Sequence, residues 1–308
     1  MSIEVRGRAR HRVEGMRNRV IAALLTASLG WGFAAVGTRA AFGLGATTLT
    51  VLTTRTLIAL GVLVAWVILA GRWPSRAAWQ HGALIGVFRT GLGPLVWMNS
   101  LNYISAGVQG LVITLVPSTT AVLAAVMIKE RITRRQVIGL GVGLVGTSII
   151  ALSGSTGLGD EGDVVYGFAL AGIGVFFGAF AGVFQRKFAP LHDTVELAMP
   201  MFASGALVAL VVGAVVGFGD LGSYPANMWL LLAILAMTST LMPFALTLYA
   251  SKHASATIVS MTGYIAPVIA VVAGAVLLGE EITGPILFGA ALAAAGVAIV
   301  GGVRRSQT

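Results

Sequence analysis

The sequence predicts an all-α membrane protein of ten transmembrane helices, arranged as two inverted five-helix repeats. Three observations lead to this fold class. Of the 308 residues, 57% are hydrophobic and 10% are charged, and the mean hydropathy is +0.92. The apolar residues form stretches of about 20 residues, the length that a helix needs to cross a bilayer. A segment of the first half also recurs in the second half at a constant offset of 150 residues.

The composition narrows the class of protein further. Ordinary soluble domains carry roughly 25% charged residues, so lipid is the expected solvent of this chain. The chain has no cysteine, which excludes disulfides, Cys-zinc sites and a catalytic thiol. The four histidines stand at connectors without metal-ligand spacing, so neither a metal nor a cofactor is predicted. The net charge of +9 lies in the N-terminal tail and the connectors, so nucleic acid is not an expected partner.

The predicted spans follow one another with short polar connectors. Their ranges are 20–42, 48–70, 78–98, 103–127, 134–152, 164–185, 194–217, 227–249, 254–278 and 285–303. Helices are required because lipid offers no water to backbone groups, and these stretches are too long and too uniformly apolar for barrel strands. The basic run from Arg6 to Arg19 precedes the first span without a convincing cleavage site, so we interpret that span as an uncleaved helix.

The charges of the connectors orient the bundle. Alternate connectors hold all the flanking Lys and Arg, whereas the other set holds Asp160, Glu161, Asp163, Asp220, Glu280 and Glu281. By the positive-inside rule, both termini are expected in the cytoplasm, in a bacterial inner membrane.

The duplication divides the chain. The paired features are Ser105-Ala106 with Ser255-Ala256, Pro117 with Pro267, Glu130-x-Ile132-Thr133 with Glu280-x-Ile282-Thr283, Gly139 with Gly289, and Gly146 with Gly296. Because five spans is an odd number, the second copy crosses the membrane inverted, an architecture common among secondary transporters. The predicted units are a basic tail (1–19), a first repeat (20–152), an external linker (153–163), a second repeat (164–303) and a C-terminal tail (304–308).

Two local motifs are interpreted as structural. The run from Gly141 to Gly146 matches the dinucleotide pattern G-x-G-x-x-G but lies inside a span, so we expect close helix packing, tightest at Gly139-x-x-x-Gly143. Thr133-x-x-Gln136 has the spacing of a capping box at the start of the fifth span. Glu130-x-Ile132-Thr133 is therefore predicted to be structural rather than catalytic.

Four prolines lie inside predicted spans and are expected to kink them. They are Pro94, Pro117, Pro243 and Pro267, of which the second and fourth occupy symmetric places in spans four and nine. Paired interruptions of this kind are the best sequence indication of a transporter's binding site. Ordinary packing kinks are the alternative.

Polar and aromatic candidates gather near these breaks. The candidate substrate-binding residues besides the prolines are Trp31, Arg89, Trp97, Asn99, Phe177, Phe180, Ser239, Ser260 and Tyr264. Arg89 is the arginine nearest a span centre and has the charge to bind a substrate carboxylate, with a packing contact as the alternative. Arg39 lies near the outer end of its span and is expected to extend its charged group to the membrane surface. For Arg55, a structural role is the alternative to a functional one. Aromatic residues at mid-span are also frequent in plain packing.

Residue types missing from the span centres exclude other chemistry. No Lys lies at mid-span, which excludes a retinal-type Schiff base, and no Asp or Glu does. An intramembrane enzyme needs an acid–base pair or a metal cluster in the bundle, so no enzymatic activity is predicted. The same absence argues against proton coupling through a buried carboxylate.

These residues resemble a known family. Trp31-Gly32-Phe33 in the first span, a proline in spans four and nine, and Glu-x-Ile-Thr after each are similar to the EamA-type branch of the drug/metabolite transporter superfamily, over residues 20–303. Within it the chain resembles bacterial exporters of aromatic amino acids and related metabolites. The resemblance implies a central cavity lined mainly by spans one, three, four, six, eight and nine.

The expected function is thus export of amino acids, aromatic ones foremost, and related amphipathic metabolites by alternating access, with a small-molecule substrate and the lipid bilayer as partners. The alternatives are a carrier of another solute class (a sugar phosphate, a nucleotide sugar or a drug-like cation), a non-transporting membrane scaffold, or an intramembrane enzyme. Clustered cavity-facing Lys or Arg, which a phosphorylated solute would need, are absent from the span centres.

Overall fold

The fold comes from a computed structural model that describes residues 3–100, 103, 112–153, 161–219, 221–278 and 284–301. Throughout these ranges the chain is helical or forms turns and short connections, and they contain no β-strand. The linker positions 154–160, the duplicated Ser105-Ala106 and Glu280, and the polar residues Asn102 and Gln109 lie outside the described residues. The side chain of Arg39 also lies outside the description, so its predicted snorkelling stays a prediction.

The α-helices are numbered along the chain, and two of them continue through a π-helical segment. They are α1 (Ile3–Gly43), α2 (Thr48–Ala70), α3 (Arg76–Gly86), π1 (Val87–Leu92), α4 (Gly93–Ser100), α5 (Val116–Met127), α6 (Arg134–Ser153), α7 (Glu161–Phe188), α8 (Thr194–Val216), α9 (Ala226–Ala236), π2 (Met237–Leu241), α10 (Met242–His253), α11 (Ala256–Ser260), α12 (Thr262–Leu278) and α13 (Gly284–Gly301). Within the described ranges, four helical stretches are long and apolar enough to cross a membrane: Thr48–Ala70, Val165–Leu191, Thr194–Val216 and Ala226–His253.

Helix α1 is longer than the predicted first span. It begins at Ile3 and continues through the basic run into the apolar stretch, for 41 residues in all. At about 1.5 Å per residue it is about twice as long as the hydrocarbon core is thick. The basic segment that the sequence analysis treated as a tail is therefore a helical extension of the first span.

The largest buried cluster joins helices from both halves of the chain. Leu63 of α2, Ile85 of α3, Phe202 of α8 and Leu248 of α10 all belong to it. Helices α3 and α8 approach closely at Gly82, where a Cβ would lie 2.7 Å from the carbonyl oxygen of Leu197. This cluster fixes the helices that carry the site described below.

Helices α6 and α13 cross through glycines at duplicated positions. A Cβ on Gly139 would lie 2.7 Å from the carbonyl oxygen of Gly296, and a Cβ on Gly146 would lie 2.5 Å from that of Gly289. Adding 150 to Gly139 and Gly146 gives Gly289 and Gly296. Exchanging the two helices therefore turns the Gly139–Gly296 pair into the Gly289–Gly146 pair. Exchange of this kind is what a two-fold axis produces. The predicted close approach at Gly139 and Gly143 is confirmed, since a Cβ on Gly296 would lie 2.5 Å from the amide nitrogen of Gly143.

The Glu-x-Ile-Thr motif of the first half is structural, as predicted. The backbone N–H of Thr133 donates to Gln136 Oε1 at 2.8 Å, and the N–H of Gln136 donates to Thr133 Oγ1 at 3.3 Å, which forms the capping box of α6. Ile132 packs against the buried cluster of Leu140 and Tyr264.

Glu130 joins the two halves of the chain. Lys129 takes a left-handed conformation (φ 54°), and the N–H of Glu130 donates to the carbonyl of Ala124 at 3.1 Å, which closes α5. The Glu130 carboxylate then accepts the N–H of Ala256 at 3.2 Å and the hydroxyl of Thr257 at 3.5 Å. A carboxylate of the first half thus caps α11 of the second half, which is favourable because the helix start presents unpaired donors.

Replacing this carboxylate is expected to destabilise the protein modestly. Glu130→Ala leaves the N–H of Ala256 without its partner, and losses of this kind cost about 1–2 kcal/mol. The measurement is thermal unfolding of the purified protein in detergent. Arg131→Ala, at an exposed position of the same connection, is the matched control. Equal unfolding temperatures for the two variants would contradict the capping role.

Candidate functional site

Two π-helical segments interrupt the bundle at equivalent places. Segment π1 begins at Val87 and π2 at Met237, and 87 plus 150 is 237. π-Helical segments are rare, leave backbone groups out of the regular pattern and occur often at functional sites. Both carry candidate residues, Arg89 on π1 and Ser239 on π2. The duplication has therefore preserved a local break as well as a sequence.

Three of the four prolines directly follow an interruption of their spans. Pro94 and Pro243 come two residues after the π segments, inside helices that continue from α3 into α4 and from α9 into α10, so the missing N–H of each proline falls where the regular helical pattern is already broken. Pro117 is the second residue of α5, and in a first helical turn the missing N–H costs no intrahelical bond. Pro267 lies inside α12.

Spans four and nine are nevertheless both broken, and the breaks meet. Thr114 and Leu115 form a turn before α5, and Met261 forms a turn between α11 and α12. Near these turns, a Cβ on Gly263 would lie 3.5 Å from Pro117 Cγ. The interruption of both spans was predicted correctly, but in span nine it falls six residues before Pro267.

Arg89 brings four elements together at one point. Its guanidinium lies over the rings of Trp31 on α1 and Phe244 on α10, at 5.4 Å from each ring centroid. These distances are within the range of cation–π attraction. One terminal nitrogen donates to the carbonyl of Gly178 on α7 at 3.4 Å, and the buried Nε atom has no hydrogen-bond partner in the described structure.

Arg55 shows what a structural arginine looks like in the same bundle. Its Nε donates to Thr240 Oγ1 at 2.9 Å, and its two terminal nitrogens donate to Thr38 Oγ1 at 3.3 Å and to the carbonyl of Ser239 at 3.1 Å. All three nitrogens are bonded, and one of them satisfies a carbonyl of π2. Arg55 therefore fastens α2 to π2 and α1, whereas Arg89 keeps bonding capacity for a ligand.

Two groups of aromatic rings lie on the elements that Arg89 joins, and one of them contacts Arg89 itself. Phe88 packs against Phe177 at 5.2 Å and against Phe180 at 5.0 Å between centroids, and Trp31 meets Phe244 edge-on at 5.7 Å. Sequence reasoning selected Trp31, Phe177 and Phe180 but missed Phe88 and Phe244. The available signal was adjacency, because Phe88 directly precedes Arg89 and Phe244 directly follows Pro243.

An open space lies beside Gly178. A Cβ built on Gly178 meets no atom of the described residues within 4 Å, and Gly178 is half-buried. The exposed face of α7 carries Gly172, Ile173 and Phe176. Gly178 is two residues beyond Phe176, which turns it about 200° around the helix from that face. The space next to the Arg89–Gly178 hydrogen bond is therefore on the interior side of α7.

Other predicted residues lie in packing contacts. Tyr264 is fully buried, donates its hydroxyl to the carbonyl of Leu140 at 3.0 Å and packs on Gly143. Pro243 packs against Gly30, and Trp97 packs against Gly174 of α7. Their main role in the described structure is to let neighbouring helices approach closely.

Three polar candidates have modest local roles. Ser260 donates its hydroxyl to the carbonyl of Thr257 at 2.8 Å, at the end of α11. Ser239 is buried and lies 3.4 Å from the hydroxyl of Thr238. Asn99 is exposed near the end of α4.

Helices that are long and apolar enough to span a bilayer define a multi-pass membrane protein, and a buried arginine against aromatic rings is a feature expected of a transporter's interior. The chain belongs to the EamA-like transporter family, whose model matches residues 18–152 and again residues 165–302. The double match coincides with the two copies seen in the sequence.

Known proteins similar to the chain agree with this assignment. An uncharacterized transporter of Archaeoglobus fulgidus is 26% identical over 245 residues, which cover 77% of this chain and 83% of that protein. A protein of known crystal structure superposes with a TM-score of 0.77 at 22% identity, covering 91% of this chain and 96% of the other. At 22% identity, the superposition shows a similar fold and nothing about function.

Proposed function

We propose that the protein exports amino acids, aromatic ones in particular, and related amphipathic metabolites across the bacterial inner membrane by alternating access. The observation that carries this proposal is the group around Arg89. It combines a cation with spare hydrogen-bonding capacity, several aromatic rings and an adjoining open space. Sites for small molecules are typically mostly apolar with a few well-placed polar groups.

The proposed architecture is ten transmembrane helices in two inverted repeats with both termini in the cytoplasm. Support comes from the double family match, the paired π segments and the exchanged glycine contacts between α6 and α13. The site contains Trp31 and Arg89 from the first copy and Gly178 and Phe244 from the second. Rocking of one half against the other would alter this site directly, as in other inverted-repeat carriers.

Within the site, we assign the substrate's ring to Trp31, Phe177 and Phe180, and its carboxylate to Arg89. Ser239, Asn99 and Ser260 remain candidates for further polar contacts, and Trp97 remains a candidate for an apolar contact. The packing of Tyr264 and the four prolines favours a supporting role for them, in which they shape the helices around the site.

The test is counterflow of labelled tryptophan and phenylalanine in liposomes that contain the purified protein, with a neutral sugar as a second solute. Saturable counterflow of the aromatic amino acids, competed by one another but not by the sugar, is the expected result. Absence of flux for every amino acid would refute the substrate class while leaving the family assignment untouched.

Trp31→Ala is expected to raise the KM for tryptophan about tenfold, since an aromatic pair between Trp31 and the substrate's ring is worth about 0.5–1.5 kcal/mol beyond its buried area and 1.4 kcal/mol corresponds to a factor of ten. The protein should remain folded, because α1 keeps its other contacts. Trp66→Ala is the matched control, since Trp66 lies on α2 with 46% of its surface exposed. Unchanged kinetics for Trp31→Ala would remove this residue from the site.

A further inference from the structure

Arg89 is a partly buried cation with no acidic side chain among its described contacts. Its described contacts are two ring faces and one carbonyl, and its Nε atom is buried without a partner. The acidic residues of the sequence stand in the N-terminal tail, in connectors or at the ends of predicted spans: Glu4, Glu14, Glu130, Asp160, Glu161, Asp163, Asp193, Glu196, Asp220, Glu280 and Glu281. A charge placed away from water is retained only where something pairs with it.

The same residues say what kind of ligand completes the site. A carboxylate on Arg89 satisfies the guanidinium with charge-assisted hydrogen bonds, for which its planar fork is well suited. A ring on the same ligand has Trp31 available beside Arg89, and Phe177 directly precedes Gly178, whose carbonyl accepts from Arg89. The α-ammonium of an amino acid, by contrast, would lie near a fixed positive charge, with no acidic side chain in the centre of any span to receive it.

We propose that the preferred cargo of this site is an arylcarboxylate monoanion, with zwitterionic amino acids as weaker substrates. This inference rests on the proposed transport function and specifies its substrate class. The arginine selects the negative group and the aromatic rings select the planar apolar group. The ammonium group is tolerated and not required.

A consequence concerns the driving force. Export of a monoanion carries one negative charge outward per cycle, so an inside-negative membrane potential drives it. Export of a zwitterion carries no net charge and is insensitive to the potential. With no carboxylate at mid-span to take up a proton, the membrane potential is the driving force that this site uses best.

The experiment compares three compounds that share one ring: phenylalanine, 3-phenylpropionate, which lacks the amine, and 2-phenylethylamine, which lacks the carboxylate. Each competes with counterflow of labelled tryptophan, and each is titrated onto the purified protein with intrinsic tryptophan fluorescence as the readout. We expect 3-phenylpropionate to bind and compete at about tenfold lower concentration than phenylalanine, since an unpaired like charge disfavours a ligand strongly. 2-Phenylethylamine should not compete.

Two variants connect the result to Arg89. Arg89→Gln should abolish the preference for 3-phenylpropionate, and Arg89→Lys, which keeps the charge, should retain part of it. Thermal unfolding of each variant verifies that it is folded. If Arg89→Gln does not fold, the comparison of the three compounds on the wild-type protein still tests the preference for anions.

The outcomes separate the two proposals. Competition by phenylalanine that exceeds competition by 3-phenylpropionate would overturn the preference for anions and leave amino acid transport standing. Retention of the preference in folded Arg89→Gln would overturn the role of Arg89. No binding or competition by 3-phenylpropionate would overturn the preference for anions alone, whereas absence of flux for every amino acid in the wild type would refute the proposed function.

Discussion

Gly178→Leu is expected to abolish flux and to leave the protein folded and inserted. A Cβ at Gly178 meets no atom of the described residues within 4 Å, so the first atom of an added side chain enters open space beside Arg89. Replacement of a helical glycine by leucine also favours the helix, by about 0.5–1 kcal/mol. We therefore expect the change to fill the volume that a substrate needs and to leave the helix intact. The measurement is tryptophan counterflow, with thermal unfolding as the test of integrity.

Gly172→Leu is the matched control on the same helix. Its Cβ direction is equally open, but Gly172 lies on the exposed face of α7 with Phe176, so the added side chain contacts the surroundings of the bundle. Flux should be retained in this variant. Normal flux in Gly178→Leu would mean that the open space is not part of the substrate path.

The three arginines show how far the sequence alone reached. Arg39, Arg55 and Arg89 were candidates because each is a charged residue in or near a predicted span. Arg89 was preferred as a substrate-binding residue because it lies nearest a span centre. What separates Arg55 from Arg89 is the number of bonded nitrogens, and these bonds reach Thr240 and Gly178 in the other half of the chain. Contacts between residues 185 or 89 positions apart depend on how the halves dock, which no local pattern records.

The same limit explains the prolines and Tyr264. Proline inside an apolar stretch predicts an interruption, and spans three, four and eight are each interrupted just before a proline. Whether proline kinks a helix or begins a new one depends on the residues before it. The two π-helical segments were not predicted by any pattern in the sequence. Tyr264 has the polarity of a ligand contact, but its hydroxyl is taken by Leu140, 124 positions earlier.

Glycine spacing, by contrast, was a reliable signal because its physical cause is local to a pair of helices. In lipid, helices associate through close packing, and small residues permit that approach. Gly139 and Gly143 stand one turn apart on one face of α6, so the pattern alone predicted a contact, and the duplication supplied the partner glycines on α13.

Gly146→Leu is therefore expected to be the most damaging substitution for stability. A Cβ at Gly146 would lie 2.5 Å from the amide nitrogen of Ala293 and 2.5 Å from the carbonyl oxygen of Gly289. Both are backbone atoms of α13, which cannot move aside as a flexible side chain can. Overpacking typically costs about 1–3 kcal/mol, and separation of two backbones costs more, so we expect a fall in Tm of about 10 °C or loss of folded protein.

The control is Gly141→Leu, five residues earlier on the same helix. Gly141 is exposed and has no atom within 4 Å of its Cβ direction, so leucine there should leave Tm unchanged or slightly higher. Gly296→Leu gives a second test, because position 296 is the duplicate of 146 and meets the backbone of Gly143 at 2.5 Å. If α6 and α13 are related by a two-fold axis, Gly146→Leu and Gly296→Leu lower Tm to a similar extent. A strong effect of one and none of the other would contradict the equivalence of the two halves at this crossing.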